Sequence, residues 1–365
     1  MYFSGIDLHK DNAFIATVDA AGQVIAQRRV PCEASAVLGN FAEFPGPHRA
    51  VVECTSGWYW LDDLLTANGI ELVLAHAKYL KAISYAKVKT DKVDATTLAR
   101  LMWMDAVPRA HKISHELRDL RDIMRARLRL VHRRTTCLIS VHNVGQKLNC
   151  FRELSIERRT IPPSLSSAHA LWVRMQYQAI DHLDAQISEL EHFLRPVLIP
   201  NDDMQRMLWI PGLGKVTAFS VYLEIDGIER FGTDKHFFSY CRLVPGAKNS
   251  NRSLRHRSGS KDGNKYLKIA FTDAAVHAIR FYPEYQRLYA KIRRRSNEAI
   301  ARTVVAKELA RIVYHVLRDK TDYRGLKGQP ISHLKSRTWP RLDRGPSAAS
   351  GKPERLTDAP RASCA

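Results

Sequence analysis

No run of apolar residues is long enough to cross a bilayer, and no charged-then-apolar segment follows Met1. The chain is therefore expected to be neither membrane-spanning nor secreted, and a cytoplasmic, nucleoid-associated protein is the expectation. Cys-x-x-Cys pairs are missing as well. The six cysteines (Cys32, Cys54, Cys137, Cys150, Cys241 and Cys364) are scattered singly, a pattern that fits neither a zinc site nor a disulfide framework. Acidic residues are scarce, 37 against 57 Lys plus Arg, which leaves a formal net charge of +20. Such an excess points to a polyanionic partner. Glycine-rich phosphate loops are absent from the first hundred or so residues, which argues against an actin-like sugar kinase. Further on, Trp209 stands where a Walker A loop would need its earlier glycine.

The few acids that are present occupy telling places. Asp91 and Asp94 in Lys89-Thr90-Asp91-Lys92-Val93-Asp94-Ala95 open a segment with helical spacing and share one face. Two carboxylates side by side repel unless a cation sits between them. Asp7 (Gly5-Ile6-Asp7-Leu8-His9-Lys10) and Glu53 (Val51-Val52-Glu53-Cys54-Thr55) each stand alone at the end of an apolar run. Hard divalent cations such as Mg²⁺ take oxygen ligands. Four carboxylates around two such ions would suit phosphodiester chemistry. Singly, each acid has a duller explanation, such as a strand-end turn, a lysine partner or complementation of a helix N-terminus.

Alternation and turn residues predict strands at 2–8, 12–18 and 23–30, the last after the turn Asp19-Ala20-Ala21-Gly22. A helix is expected over about 33–44, a buried strand over 49–54, a helix from Gly57 and a strand over 70–74. Three meandering strands followed by alternating helices and strands describe a ribonuclease-H-like (Holliday-junction-resolvase-like) α/β domain over residues 1–110. In that layout Asp7 and Glu53 leave neighbouring strand ends, and the helix opened by Asp91 and Asp94 packs against the same edge.

Residues 111–200 read as a helical coiled-coil or dimerisation region. Leu117, Met124, Val131 and Leu138 recur every seven residues. Arg118, Arg121, Arg125 and Arg129 lie on another face with few acids nearby, and phosphate contact is expected of them. Ile180, Leu183, Ile187, Leu190 and Leu194 stripe a second helix whose other face carries Asp181, Asp184, Glu189 and Glu191. An antiparallel hairpin or a dimerisation stalk would accommodate the two helices.

Residues 201–325 form a third, mainly α-helical region. Ile210-Pro211-Gly212-Leu213-Gly214-Lys215 resembles a helix-hairpin-helix turn, whose backbone N–H groups grip a phosphate. Basic helices are expected at about 261–281 and 297–318. Between Leu243-Val244-Pro245 and Lys261-Asp262-Gly263-Asn264-Lys265 runs a polar loop with Arg252, Arg255 and Arg257. Its Ser250, Ser253, Ser258 and Ser260 are equivalent candidates for facing a DNA phosphate, and most loop serines are only turn residues. Residues 326–365, rich in Pro, Ser and Arg, are expected to be a disordered basic tail.

Taken together, the Asp7, Glu53 and Asp91–Asp94 segments, the 210–214 turn, Leu243-Val244-Pro245 and Lys261-Asp262-Gly263-Asn264 resemble the DEDD-type insertion-sequence transposases of the bridge-RNA-guided, "one-ten" type, over roughly residues 1–320. The resemblance implies a Mg²⁺-binding tetrad of Asp7, Glu53, Asp91 and Asp94, and a nucleophilic serine at Ser250, although Asn251 stands where the family usually carries glycine. It implies that residues 201–325 are the transposase domain. It also implies donor and target DNA as substrates, an element-encoded bridge RNA, and a homodimer or homotetramer. Gly212, Gly214, Lys215, Lys261 and Lys265 join the arginines above as nucleic-acid contacts. Two other readings stay open. A Holliday-junction-resolvase-like nuclease would use the same acids with water and no serine. A passive nucleic-acid-binding protein would account for the charge but not for the acids.

Overall fold

The computed structural model describes residues 1–54, 57–83, 90–245 and 262–325. Two compact units divide the chain, the first Met1–Arg118 and the second beginning at Asp119.

The first unit is built on five strands: β1 (Tyr2–Leu8), β2 (Asn12–Val18), β3 (Val24–Pro31), β4 (His48–Glu53) and β5 (Glu71–Ala75). Their order is β3-β2-β1-β4-β5. β1 pairs antiparallel with β2, as does β2 with β3, whereas β4 runs parallel to β1 and β5 parallel to β4. This mixed sheet, followed by mostly helical sequence, is consistent with the ribonuclease-H-like layout. Helix α1 (Ala34–Ala42) and α2 (Trp58–Ala67) cover one face, where Ile6, Ile15, Val52, Leu72, Val37 and Leu61 form a core. Short α3 (Ala77–Ile83) and α4 (Asp91–Trp103) serve the other face, with Val51, Val73, Leu80, Leu98 and Met102 buried there. Residues of alternating parity along β1 and β4 therefore reach opposite faces, as strand geometry requires.

α4 lies close upon β1. A Cβ added to Gly5 would come within 2.1 Å of the Ala95 carbonyl oxygen and 2.4 Å of the Ala99 nitrogen. Only glycine permits that approach. On the opposite side of the unit, Arg118 is buried, pairs with Asp62 and Asp63, and lies over the Trp58 and Tyr59 rings at 4.8 and 4.9 Å.

The second unit contains most of α5 (His115–Lys147) and all of α6 (Ser167–Val197). Val141 and Val144 of α5 pack with Val173, Tyr177 and Ile180 of α6. Arg127 Nε donates to Glu191 at 2.7 Å, and Arg134 to Asp184 at 2.6 Å. The numbering rises along α5 as it falls along α6, so the two helices run antiparallel. Of the acidic face expected on α6, Asp184 and Glu191 thus find partners in arginines of α5, while Asp181 pairs with Arg159. Beyond them come α7 (Asp202–Leu208), α8 (Lys215–Ile225), α9 (Asp234–Tyr240), α10 (Lys265–Phe281), α11 (Pro283–Arg293) and α12 (Glu298–Arg318). α12 is the central helix of this region, burying Val305, Leu309, Val313 and Leu317 among others. α10 begins a few residues later than the sequence suggested. Gly263 holds φ +98°, a backbone through which a helix does not run, and the Asn264 side chain accepts from the Tyr266 and Leu267 N–H groups as the cap. Among the described residues, no helix is long and apolar enough to cross a membrane. The tail at 326–365 lies outside the described residues.

Candidate active site

Four local features assemble the acidic cluster. The register pairs Ile6 with Val52 across the parallel β1–β4 ladder, so Asp7 and Glu53 follow one another at adjoining strand ends. Both share the parity of Gly5 and Val51 and so belong to the face that α4 covers. Thr90 caps α4, its hydroxyl accepting from the Val93 N–H at 3.2 Å. That cap places Asp91 and Asp94 in the first turn, where the helix dipole favours negative charge.

Asp7 and Asp91 meet around His9. The His9 Nε2 lies 3.2 Å from Asp7 Oδ2 and 3.5 Å from Asp91 Oδ1, and the three ligand atoms all fall within 4.8 Å of one another. On the outer side, Arg29 of β3 donates to Asp91 Oδ2 at 2.7 Å. Burial pushes the Asp7 carboxyl up from its ordinary value; His9 pulls it back, and the charges of Asp91 and Asp94 push it up again. Asp94 is thus within electrostatic reach of Asp7, and Glu53 sits beside it on the next strand. Asp7 and Asp91 meet with His9 as a candidate ligand group, the charge of Asp94 acts on Asp7, and Glu53 is placed by strand register alone. Carboxylates that repel one another in this way have the donor chemistry that a hard divalent cation requires.

His9 and Arg29 were not among the expected site residues. The signal for His9 was present in the sequence, a metal-ligating side chain two positions beyond Asp7 and just past the end of β1. Arg29 carried no such signal, because only the β2–β3 hairpin brings it to Asp91.

Apart from Arg118, the remaining expected residues belong to the second unit. The end of α9 and the start of α10 are stitched together. The Asn264 N–H donates to the Tyr240 carbonyl at 2.6 Å, and Arg242 Nε donates to the Gly263 carbonyl at 2.7 Å. These ties bracket the segment that holds Ser250, Ser253, Ser258, Ser260, Arg252, Arg255, Arg257 and Lys261, all of which lie outside the described residues. Lys265 is exposed, its ammonium 5.1 Å from the Tyr266 ring. Gly212 has φ +85°, and a Cβ there would come within 2.1 Å of the Ala274 carbonyl oxygen, so packing on α10 accounts for glycine at this position. Gly214 is the N-cap of α8 and, like Lys215, is exposed.

The arginine face of α5 needs correction. Arg118 is buried with Asp62 and Asp63, as described above. Arg125 makes a two-pronged bond to Glu224, 2.6 and 2.7 Å, and stacks over the Tyr266 ring at 4.5 Å. Arg121 is half-buried and engaged within the chain. Arg129 alone of the four is exposed. The expectation of a face short of acidic partners fails because those partners come from distant sequence. Glu224, only 4% exposed, also accepts from the Asn264 side chain at 2.7 Å. Glu224→Ala would leave a guanidinium and an amide without their shared partner. It is expected to cost about 3 kcal/mol of stability, read as a lowered denaturant midpoint.

Comparison with known proteins bears on what this cluster does. A transposase family model of the IS110 DEDD type matches residues 4–146, which span Asp7, Glu53, Asp91 and Asp94. A second, described as the transposase IS116/IS110/IS902 family, matches residues 204–290. The chain belongs to the IS110 family of transposases. Among curated relatives, the transposase for insertion sequence element IS1111A of Coxiella burnetii is 26% identical over 286 residues, covering 76% of this chain and 77% of the relative. A probable family 20 transposase of Pseudomonas aeruginosa is 24% identical, covering 88% of this chain and 98% of the relative. The transposase for IS1328 of Yersinia enterocolitica is 22% identical, with 87% and 97% covered. As an IS110-family transposase the chain is a DNA-cutting and DNA-joining enzyme, and its family implies a divalent metal, commonly Mg²⁺.

Proposed function

We propose that this IS110-family transposase moves its own insertion sequence by combining a metal-binding acidic tetrad with a serine nucleophile. The observation that carries the reading is the convergence of Asp7 and Asp91 from a strand end and a helix start, with Asp94 in reach and Glu53 on the adjoining strand. Asp7, Glu53, Asp91 and Asp94 would hold the Mg²⁺, with two ions proposed. A bound divalent cation supplies charge neutralisation at the scissile phosphate and acidifies an attacking hydroxyl.

The serine step conserves bonds. The Ser250 oxygen forms a new P–O bond as the phosphorus releases one sugar oxygen, which leaves as a hydroxyl carrying the proton that the serine gives up. Attack by a sugar hydroxyl on the resulting phosphoserine reverses the exchange and joins a new strand, with no external energy source. Lys215, Lys265, Arg129, Arg252, Arg255, Arg257 and Lys261 are proposed to hold the DNA backbone. Spacing after Leu243-Val244-Pro245 supports Ser250, and the excess of 57 basic over 37 acidic residues supports extensive phosphate contact. An element-encoded RNA that selects donor and target, and assembly as a homodimer or homotetramer, complete the reading on the strength of the motif resemblance.

The test is cleavage of duplexes carrying the element's ends, assayed with the RNA transcribed from its flanks. Cleavage is expected with Mg²⁺, to vanish with a chelator and to return on re-addition of the metal. Undiminished cleavage in chelator would overturn the metal reading.

A further inference from the structure

The tetrad leaves His9 without a role, yet its imidazole is the group that lies between Asp7 and Asp91. Its Nε2 is hydrogen-bonded to an Asp7 oxygen at 3.2 Å and stands 3.5 Å from an Asp91 oxygen, the latter longer than a well-formed N–H···O hydrogen bond. Donor atoms about 2.1 Å from one octahedral ion stand roughly 3 Å apart when adjacent. The two spacings from His9 Nε2, 3.2 and 3.5 Å, are close to that, and Asp7, His9 and Asp91 each offer a ligand atom within 4.8 Å of the others. Two further observations favour coordination over a simple ion pair. Asp91 already has a permanent cationic partner in Arg29, at its other oxygen, so it does not need His9 for charge balance. The polar cleft beside the acids is lined by His9, Lys10, Asn12 and Arg29, so the imidazole stands at the edge of open space rather than being packed into protein.

We propose that His9 is a nitrogen ligand of the divalent-metal site, so that Asp7, His9 and Asp91 form a mixed oxygen–nitrogen donor set. This rests on the reading of Asp7 and Asp91 as metal-binding carboxylates. Mg²⁺ strongly prefers oxygen and near-ideal octahedral geometry, whereas Mn²⁺ more readily accepts an imidazole alongside carboxylates. His9 therefore tilts the site towards Mn²⁺ relative to an all-carboxylate site.

The experiment uses the full chain with Mn²⁺ alone. Pulsed electron paramagnetic resonance of the bound ion reports directly coordinated nitrogen through its hyperfine coupling, and competition with Mg²⁺ gives the relative affinity. A histidine nitrogen coupling is expected in the wild type and should be missing in His9→Gln. That variant should also lose Mn²⁺ affinity by roughly 10-fold or more, since losses of 10–100-fold follow even when a ligand's outer partner is removed. Mg²⁺ affinity should change less. If Mn²⁺ binds, and Asp91→Asn abolishes that binding, but the wild type shows no nitrogen coupling, then His9 is not a ligand while the carboxylate reading stands. A coupling that persists in His9→Gln comes from another histidine and overturns the proposal equally. If Mn²⁺ binding is absent, or indifferent to Asp91→Asn, the carboxylate reading fails and the proposal with it.

Discussion

Asp91→Asn is expected to lower DNA strand cleavage by a factor on the order of 10³ while leaving DNA binding within about twofold. The substitution keeps the size of the side chain and its capacity to accept a hydrogen bond, but removes the charge that a divalent cation needs. Little else should change. Asp91 is 37% exposed, and its pair with the 63% exposed Arg29 is a surface ion pair, worth no more than about 1 kcal/mol. The thermal midpoint should therefore stay close to wild type. Single-turnover cleavage of an end-labelled duplex, together with binding and melting measured on the same preparation, separates chemistry from folding and affinity. Wild-type cleavage by Asp91→Asn would remove that aspartate from the metal site. A joint loss of cleavage and melting midpoint would give it a structural role instead.

Gly5→Ala should act through the fold. The added Cβ would meet backbone atoms of α4, and a helix backbone cannot rotate aside as a flexible side chain can. A destabilisation of about 3 kcal/mol or more is expected. Because α4 carries Asp91 and Asp94, the molecules that still fold should have those acids displaced from Asp7 and cleave poorly. Gly39→Ala makes the opposite-sign control. Gly39 lies within α1 with nothing inside 4 Å of an added Cβ, so the change should be neutral or stabilising by roughly 0.5–1 kcal/mol. Chemical denaturation of the two variants side by side checks the argument, and a wild-type midpoint for Gly5→Ala would show that α4 yields more readily than a packed helix should.

The two predictions depend on parts of the molecule that were unequally legible in the sequence. The strands were readable because alternation and turns such as Asp19–Gly22 mark them locally, and the observed ranges agree closely with those expected. The acids stood out for a related reason: lone carboxylates in apolar runs, and a pair at helical spacing, are exceptions to a strong local pattern. What no local pattern carries is the partner from far along the chain. Arg118 finds Asp62 and Asp63 more than fifty residues back, and Arg125 finds Glu224 about a hundred residues ahead, so an arginine stripe expected to contact phosphate is largely internal. The same blindness hid Arg29, which reaches Asp91 only once β3 is folded against β2. Short helices were lost for want of periods to count: α3, α7 and α9 are seven residues each. α11 could have been found from Pro283, which occupies the first helical position where its missing N–H has no cost. Gly5 reads as part of a strand and Gly212 as part of a phosphate-gripping turn, and the helices that press against them are visible only in three dimensions.

The central claim is that cutting and joining proceed through a protein–DNA ester on Ser250, served by the acids of the first unit. Trapping is the most direct measurement. Nicked or suicide substrates carrying an element end are incubated with protein, metal and RNA, and the products are run on denaturing gels. Wild type is expected to give a covalent protein–DNA adduct. Ser250→Ala should give none, and Asp91→Asn should give little. An adduct that persists in Ser250→Ala but disappears in Ser258→Ala or Ser260→Ala would move the nucleophile along the loop. An active wild-type enzyme that leaves only free DNA ends, with no adduct under any trapping condition, would contradict the account and assign the acids to a hydrolytic, resolvase-like nuclease.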